Sequence, residues 1–394
     1  MDAADVAWLL TPEGVRATEE AHAALASGVA PHTVAGRLRT AVGGPASRAA
    51  LALAAGREAA AGKFADAGRL FFDREAAEQA TSEPVARWTA RRFAASGRVA
   101  DLGCGAGGDA LALAEVAAVL AVDRDAGRLA MLRANAAARG LTARIEAAEG
   151  DALAPLPPGV DAAWLDPARR DASGRTLDPE GWSPPLAEAV RVASSVARAG
   201  IKVAPGIDLA VVPAGCEVEF ISHRGTLVEA VIWCGDIVSA PRRATALPAG
   251  ATVAGGPDSG VTPLGAPGRY LYDLDPAVGR ASLVDAVAPS IAAWRLDERT
   301  AYLSGDTPLA SPFVRRFRVI ETMPFAERRL RDVLRSLAAS RVEVMRRASP
   351  VDTNALERRL NAGLGGDGAV LTVALTRVAG AHTAIVCGRE RDEG

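Results

Sequence analysis

The stretch from Val99 to Asp109 constrains this chain more than any other, reading Val-Ala-Asp-Leu-Gly-Cys-Gly-Ala-Gly-Gly-Asp. Apolar residues lead into Asp101, glycines follow at 103, 105 and 107, and Ala110 to Val116 carries helix-forming apolar spacing. The pattern predicts a strand, a tight glycine turn and a helix start. Glycine suits such a turn because the backbone angles are unusual and because a Cβ would hold a ligand away from the helix's free N–H groups. A flat or anionic group is expected to lie against the loop.

Two cofactor classes fit. Gly103, Gly105 and Gly108 satisfy the G-x-G-x-x-G dinucleotide fingerprint, and Asp123 lies about 20 residues on, where a ribose-binding carboxylate is expected. Asp101 argues for the other class, because a carboxylate aimed into the turn repels a pyrophosphate and suits an ammonium. S-adenosylmethionine (SAM) has an amino-acid end and a sulfonium, and no phosphate. The stretch resembles motif I, D-x-G-x-G-x-G, of the class I SAM-dependent methyltransferases. That resemblance implies a Rossmann-like doubly wound α/β sheet, with Asp101, Gly103, Gly105, Gly107 and Asp109 at the cofactor and no metal.

The chain has 394 residues, enough for two or three domains, and is 49% hydrophobic and 23% charged, with no apolar run long enough to span a bilayer. The first residues are acidic and lack a basic n-region, so no signal peptide is expected and the cytoplasm is the expected compartment. Cys104, Cys216, Cys234 and Cys387 form no C-x-x-C pair, and His22, His32, His223 and His382 are equally scattered, so neither a disulfide framework nor a zinc site is indicated. Net charge is −2, so contact with nucleic acid would need a local patch. Lys63 and Lys202 are the only lysines, while arginine abounds, which points to a genomic bias and devalues arginine counts.

Three domains and a linker are expected in order: a helical N-terminal domain over 1–71, a methyltransferase domain over 72–240, a linker and accessory segment over 241–313, and a small α+β domain over 314–394. Helical spacing runs from Ala3 to Arg74. Ahead of the glycine loop, the segment Gln79-Ala80-Thr81-Ser82-Glu83-Pro84 resembles the T-P-E-x-x-A segment of RNA cap guanine-N2 methyltransferases, which places Gln79 and Thr81 over the cofactor; Thr81 or Ser82 equally serves as a helix cap. Val119 to Val122 predicts a second strand that delivers Asp123, followed by Arg124, to the carboxyl edge where ligands of open α/β sheets sit. Asn135, in the next helix, is similar to the N-A motif of RNA-modifying methyltransferases. A third strand over 143–147 leads to Gly150-Asp151-Ala152, resembling the family's G-D-A turn, whose carboxylate meets the adenine amino group.

The fourth strand, Ala162 to Leu165, delivers Asp166-Pro167-Ala168-Arg169-Arg170, with Asp166 expected beside the cofactor as well as at the methyl acceptor. An aromatic exocyclic amine is a poor nucleophile because its lone pair is delocalised into the ring. If Asp166 and the Pro167 carbonyl accept its two N–H bonds, the nitrogen can pyramidalise and aim the lone pair at a methyl group. N-directed methyltransferases carry [D/N/S]-P-P-[Y/F/W] at this strand end, and D-P-A-R occurs in RNA methyltransferases. No aromatic follows the proline here, so Arg169 or Arg170 would have to stack on a base. Uracil-C5 enzymes sharing D-P-A-R use a cysteine after the next strand, where this chain has Val203-Ala204-Pro205-Gly206, which disfavours covalent chemistry.

A helix over 186–198, a fifth strand over 200–203 and an antiparallel pair at 216–221 and 228–234 complete the expected sheet, with Glu229 read as marking an exposed face. Proline and glycine dominate from Pro241 to Gly268, and a helical stretch is expected over 277–293. Beyond Val314 the predicted order of strands and helices resembles THUMP-like C-terminal domains of bacterial methyltransferases. Arg315, Arg316, Arg318, Arg328, Arg329, Arg331, Arg335, Arg341, Arg346 and Arg347 outnumber the acids there, as a surface facing RNA would. The expected function is transfer of a methyl group from SAM to a base nitrogen of structured RNA. A small-molecule or protein acceptor, or a SAM- or RNA-binding module without turnover, is the alternative.

Overall fold

A computed structural model describes residues 1–168, 170–171, 174–175, 178–256 and 260–389, and the chain divides into two compact units. The first comprises Met1–Val218 and Glu229–Ser239. It opens with helices α1 (Ala3–Leu9), α2 (Pro12–Ala26), α3 (Pro31–Val42) and α4 (Gly44–Ala60). Glycine allows the close helix approaches: a Cβ at Gly14 would stand 2.3 Å from the Trp8 carbonyl oxygen, and one at Gly56 would stand 1.7 Å from that of Phe72. Two short helices follow, α5 (Arg74–Gln79), capped by the Asp73 carboxylate on the Ala76 N–H, and α6 (Glu83–Ala90).

The sheet of this unit is built from β1 (Arg98–Leu102), β2 (Ala118–Asp123), β3 (Ile145–Glu149), β4 (Ala162–Leu165) and β5 (Arg198–Val203), all parallel in the order β3-β2-β1-β4-β5. Helices α7 (Gly108–Val116), α8 (Ala126–Ala138) and α9 (Leu186–Ala193) provide the crossovers. After β6 (Glu217–His223), β7 (Thr226–Gly235) runs antiparallel to β5, with Val203 opposite Ala230 and Lys202 opposite Val231. The order reverses between β1 and β4, the kind of switch point at whose strand carboxyl ends open α/β sheets bind their ligands.

The helical segment is not a separate domain. Val6, Leu9, Leu38, Leu53, Phe64 and Phe72 share one buried core with Met131 and Ala134 of α8 and with Ala106 of the glycine loop. Asn135, fully buried, stitches this junction: its Oδ1 accepts from the Phe71 N–H at 2.6 Å, and its Nδ2 donates to the carbonyls of Phe71 at 3.0 Å and Ala106 at 2.9 Å. Replacing Asn135 by leucine strands three buried backbone groups. An unfolding free-energy loss of about 2 kcal/mol is expected in urea titrations, and an unchanged midpoint would refute the stitching role.

Several expected boundaries move for local reasons. β3 begins at Ile145 because the Arg144 N–H closes a turn onto the Leu141 carbonyl. α9 stops at Ala193, where the Ser194 and Ser195 hydroxyls bond back to the carbonyls of Val190 and Val192. Cys216 and Cys234, which the sequence gives no reason to pair, come together with their sulfurs 2.6 Å apart.

The second unit comprises Glu219–Val228 and 240–394. The segment read as a linker is folded: β8 (Arg242–Leu247) and β9 (Ala251–Gly255) form an antiparallel hairpin. β10 (Tyr270–Leu274) and β11 (Tyr302–Gly305) join the same sheet as β12 (Val314–Pro324), β13 (Ala339–Arg346), β14 (Ala369–Val378) and β15 (Ala381–Arg389). That sheet runs β11-β10-β12-β15-β14-β13, with only β13 and β14 parallel among these pairs. The helical stretch expected over 277–293 is broken into α10 (Pro276–Arg280), α11 (Val284–Val287) and a 3-10 turn, because Ser282 at φ +56° and Ala292 at φ +47° turn the chain. Helices α12 (Glu327–Ser336) and α13 (Thr353–Asn361) bury Leu330, Leu334, Leu356 and Leu360 against Val342, Leu371 and Val386. The result is the expected α+β domain, extended at its start by strands the sequence hides.

Candidate functional site

The glycine loop is shaped by three left-handed residues, Gly103 at φ +87°, Gly105 at +53° and Gly107 at +95°. Each meets a different surrounding. A Cβ at Gly107 would stand 2.3 Å from Leu132 Cδ1, and one at Gly103 would stand 3.3 Å from the Asp166 carbonyl oxygen, whereas one at Gly105 would meet nothing within 4 Å. Gly107 is therefore glycine for packing, and Gly105 faces open space. Asp123 fixes the turn, its Oδ2 accepting from the Gly105 N–H at 2.8 Å and its Oδ1 from the Asp125 N–H at 2.9 Å.

Strand pairing brings the charged residues together. Asp101 lies opposite Trp164, Trp164 opposite Gly200, and Gly200 opposite Trp233. These residues therefore share one face of the sheet, with Lys202 and Glu229 further along the same face by period-two alternation. Gly200 admits the indoles directly, since a Cβ would stand 2.7 Å from both rings. Two residues on, Lys202 is 7% exposed and its Nζ donates to Thr81 Oγ1 at 2.5 Å and Asp166 Oδ2 at 2.9 Å. Asp109 Oδ2 and Glu229 Oε2 lie 3.5 and 3.7 Å from the same nitrogen. Glu229 is thus buried in an ion cluster and does not mark an exposed face.

Thr81 links the cluster to the glycine loop by donating to Asp109 Oδ2 at 2.9 Å. The hydroxyl is spent on this network, and neither it nor Ser82 caps α6 by a side-chain hydrogen bond. Lys63 secures the same loop from its other side, its Nζ 2.7 Å from the carbonyls of Glu78 and Ala80.

The electrostatics follow from burial and crowding. Burial lowers the basicity of Lys202, but Asp109, Asp166 and Glu229 outweigh it and hold the ammonium well above the ordinary lysine range. Asp101 is 1% exposed, and its Oδ2 has no hydrogen-bond partner among the described residues. Burial, reinforced by the negative charges of Asp109 and Asp166, pushes its carboxyl well above the usual carboxylate range. Asp109 Oδ1 is likewise buried and unpartnered among the described residues. Buried carboxylate oxygens without donors beside an open glycine turn fit the cationic amino-acid end of SAM and do not fit a pyrophosphate.

The remaining expected site residues fall into two groups. Gly150 closes onto the Asp123 carbonyl through its N–H at 3.0 Å, with Asp151 exposed and Ala152 half-buried in the following turn. Asp151 pairs with Arg124 at 2.8 Å, and the Leu153 N–H together with that guanidinium holds its carboxyl below the usual range. Asp166 and Pro167 stand at the end of β4, the segment being anchored by paired backbone hydrogen bonds between Ala168 and Ser183. Gln79 is not brought to the cluster: it is exposed at the end of α5, and its amide donates to Glu75. Arg169 lies outside the described residues, and Arg170 begins a two-residue strand paired with Gly174–Arg175.

Lys202 and Glu229 are site residues that motif reading passed over. One signal was available for the first, since a chain that uses arginine almost everywhere keeps a lysine inside the apolar strand Gly200 to Val203.

Residues 99–168 match the methyltransferase domain family, and residues 314–389 match the family described as THUMP domain-like. Two curated relatives, the uncharacterized S-adenosylmethionine-dependent methyltransferases of Mycobacterium tuberculosis strains CDC 1551 / Oshkosh and H37Rv, are each 37% identical over 357 residues, covering 85% of this chain and 95% of the relative. A solved structure described as a methyltransferase from Porphyromonas gingivalis W83 shares the fold, with TM-score 0.72 and 18% identity over 88% of this chain and 92% of that one. The chain belongs to the SAM-dependent methyltransferases. Its second unit ends in a THUMP-like domain. Among the described residues no cluster of side chains forms a metal site, and no helix is long and apolar enough to cross a membrane.

Proposed function

We propose that this methyltransferase acts on a base nitrogen of structured RNA. The observation that carries the reading is Asp166: it ends β4 at the reversal of strand order, its backbone 3.3 Å from where a Gly103 Cβ would stand, and its Oδ1 has no donor among the described residues. SAM supplies an electrophilic methyl group on a sulfonium. Asp101 meets the donor's ammonium, Asp123 its ribose, and Asp151 with the Gly150 to Ala152 turn its adenine, while Asp109 and Arg124 brace these groups from behind. Asp166 Oδ1 and the Pro167 carbonyl accept the two N–H bonds of an exocyclic amine and direct its lone pair along the S–C axis. Positioning reacting atoms near ~3 Å in line accounts for most of the acceleration in such a displacement. Incubation with radiolabelled SAM and an RNA pool tests this, followed by nucleoside digestion. Label on protein or metabolite alone would overturn the RNA part.

The THUMP-like match and the arginines of the second unit support an RNA acceptor. Arg328, Arg329 and Arg335 are exposed on α12, and Arg335, Arg331 and Arg359 line a cavity of about 370 Å³ floored by Leu334 and Leu360. Arg315 and Arg347 are instead committed to the buried Asp273, so they are discounted as phosphate ligands. Alanine at Arg328, Arg329 and Arg335 together is expected to weaken RNA binding and to flatten the plot of log K against log salt by roughly 0.7 to 0.9 for each phosphate no longer neutralised. An unchanged salt slope would remove α12 from the interface.

Ala168 follows Pro167, so no ring is offered at that position for stacking on a base. This favours, as a second reading, a small-molecule or protein acceptor at the same carboxylate, and the labelling assay distinguishes the two.

A further inference from the structure

One buried cation takes no direct part in the methyl transfer. Lys202 sits inside β5 between Ile201 and Val203, both buried, where an apolar side chain would be ordinary. Burying an ammonium is strongly unfavourable before its partners are counted. Its four oxygen neighbours come from four separate places: the loop before α6, the first turn of α7, the end of β4 and β7. On Asp166 it takes Oδ2 and leaves Oδ1 unpartnered among the described residues.

We propose that Lys202 is a positioning residue that pins Asp166 through Oδ2, so that a single carboxylate oxygen, Oδ1, is presented to the methyl acceptor. The inference rests on the base-nitrogen reading. A carboxylate on a strand end turns about two side-chain bonds. Tying one oxygen to a cation that Thr81, Asp109 and Glu229 hold in place stops both rotations. The acceptor then meets a fixed pair of lone pairs, one on Oδ1 and one on the Pro167 carbonyl, and must offer two N–H bonds at that spacing.

With Oδ2 held by the ammonium, what Asp166 offers the acceptor is a single hydrogen-bond-accepting oxygen, Oδ1, beside the Pro167 carbonyl. A ribose hydroxyl has one O–H and leaves one of these two acceptors unfilled, whereas an exocyclic amine has two N–H bonds and fills both. As the N–C bond forms and the S–C bond breaks, the bonding pair stays on sulfur, and the proton then lost from nitrogen goes to water. The acceptor class is therefore a neutral exocyclic amine, and a ribose hydroxyl is excluded.

The test is a double-mutant cycle on the full-length protein with K202M, D166N and the combined variant. It measures single-turnover transfer to the RNA pool, the affinity for S-adenosylhomocysteine and thermal melting. If Lys202 acts through Asp166, K202M lowers the transfer rate roughly 10- to 100-fold with S-adenosylhomocysteine affinity held within about 3-fold. In the D166N background the same change then costs less than about 2-fold. Equal losses in both backgrounds identify a merely structural lysine and overturn the proposal, as does K202M at wild-type rate. The nature of the methylated atom needs no variant: wild-type product digested to nucleosides is expected to carry the label on an exocyclic nitrogen, and label on a ribose oxygen overturns the acceptor class even where K202M fails to fold. Absence of any transfer to RNA by the wild type would instead sink the broader reading, which keeps the two failures apart.

Discussion

Alanine at Asp166 is expected to lower kcat for methyl transfer by about 10²- to 10³-fold, because on the proposed base-nitrogen reading it removes the carboxylate that orients the acceptor amine. Donor binding should change little, since Asp101 and Asp123, proposed above to meet the donor's ammonium and ribose, are untouched. D166N should fall between wild type and D166A, as its carbonyl still accepts one N–H bond without the charge. The measurement is single-turnover transfer under saturating SAM, with S-adenosylhomocysteine affinity determined in parallel. D166A at more than about one tenth of the wild-type rate would remove Asp166 from the chemistry.

Asp101→Asn should separate binding from stability. Burial and the neighbouring Asp109 and Asp166 push the Asp101 carboxyl well above the ordinary carboxylate range. The folded protein therefore holds a proton there that the unfolded chain has released, and without ligand its stability falls as pH rises from about 3.9, the unfolded value, through the raised folded one. Asparagine abolishes that slope, so the ligand-free variant should be at least as stable as wild type near pH 7 and flatter in its pH dependence. Donor affinity should move the opposite way, dropping about 100-fold, because a buried carboxylate paired with an ammonium is replaced by a neutral amide. Urea titrations at pH 5 and pH 8 and calorimetry with S-adenosylhomocysteine measure both. Undiminished affinity would mean that the acid before the first glycine does not face the ligand.

The glycine loop and the Asp-Pro strand end were legible because each is a local pattern, set by backbone angles at Gly103, Gly105 and Gly107 and by chain direction at Asp166. The ion cluster was not, because it depends on which strands lie side by side. Period-two alternation puts Gly200 and Lys202 on one face, but only the pairing of β5 with β7 brings Glu229 to that face, and a single sequence does not reveal strand order. The neighbours of Thr81 in sequence point to the cofactor, but nothing local reveals that its hydroxyl bonds Lys202 and Asp109, both far along the chain. The segment after Pro241 was read as a linker because β8 and β9 are short and rich in small residues, and because the proline and glycine between and beyond them outweighed their alternation.

The boundary between the units has a consequence for anyone dissecting the protein. The chain leaves the first unit at Glu219, returns at Glu229 and departs again after Ser239. The excursion is anchored where it goes: Ser222 bonds Asp275, Thr245 bonds Glu219, and the Arg280 guanidinium lies over Phe220. A cut at residue 239 would orphan ten residues from the neighbours that shelter Phe220 and Ile221. The two halves are therefore not interchangeable cassettes, and recombining catalytic and THUMP-like parts among relatives calls for transplanting that β-ribbon together with the C-terminal half.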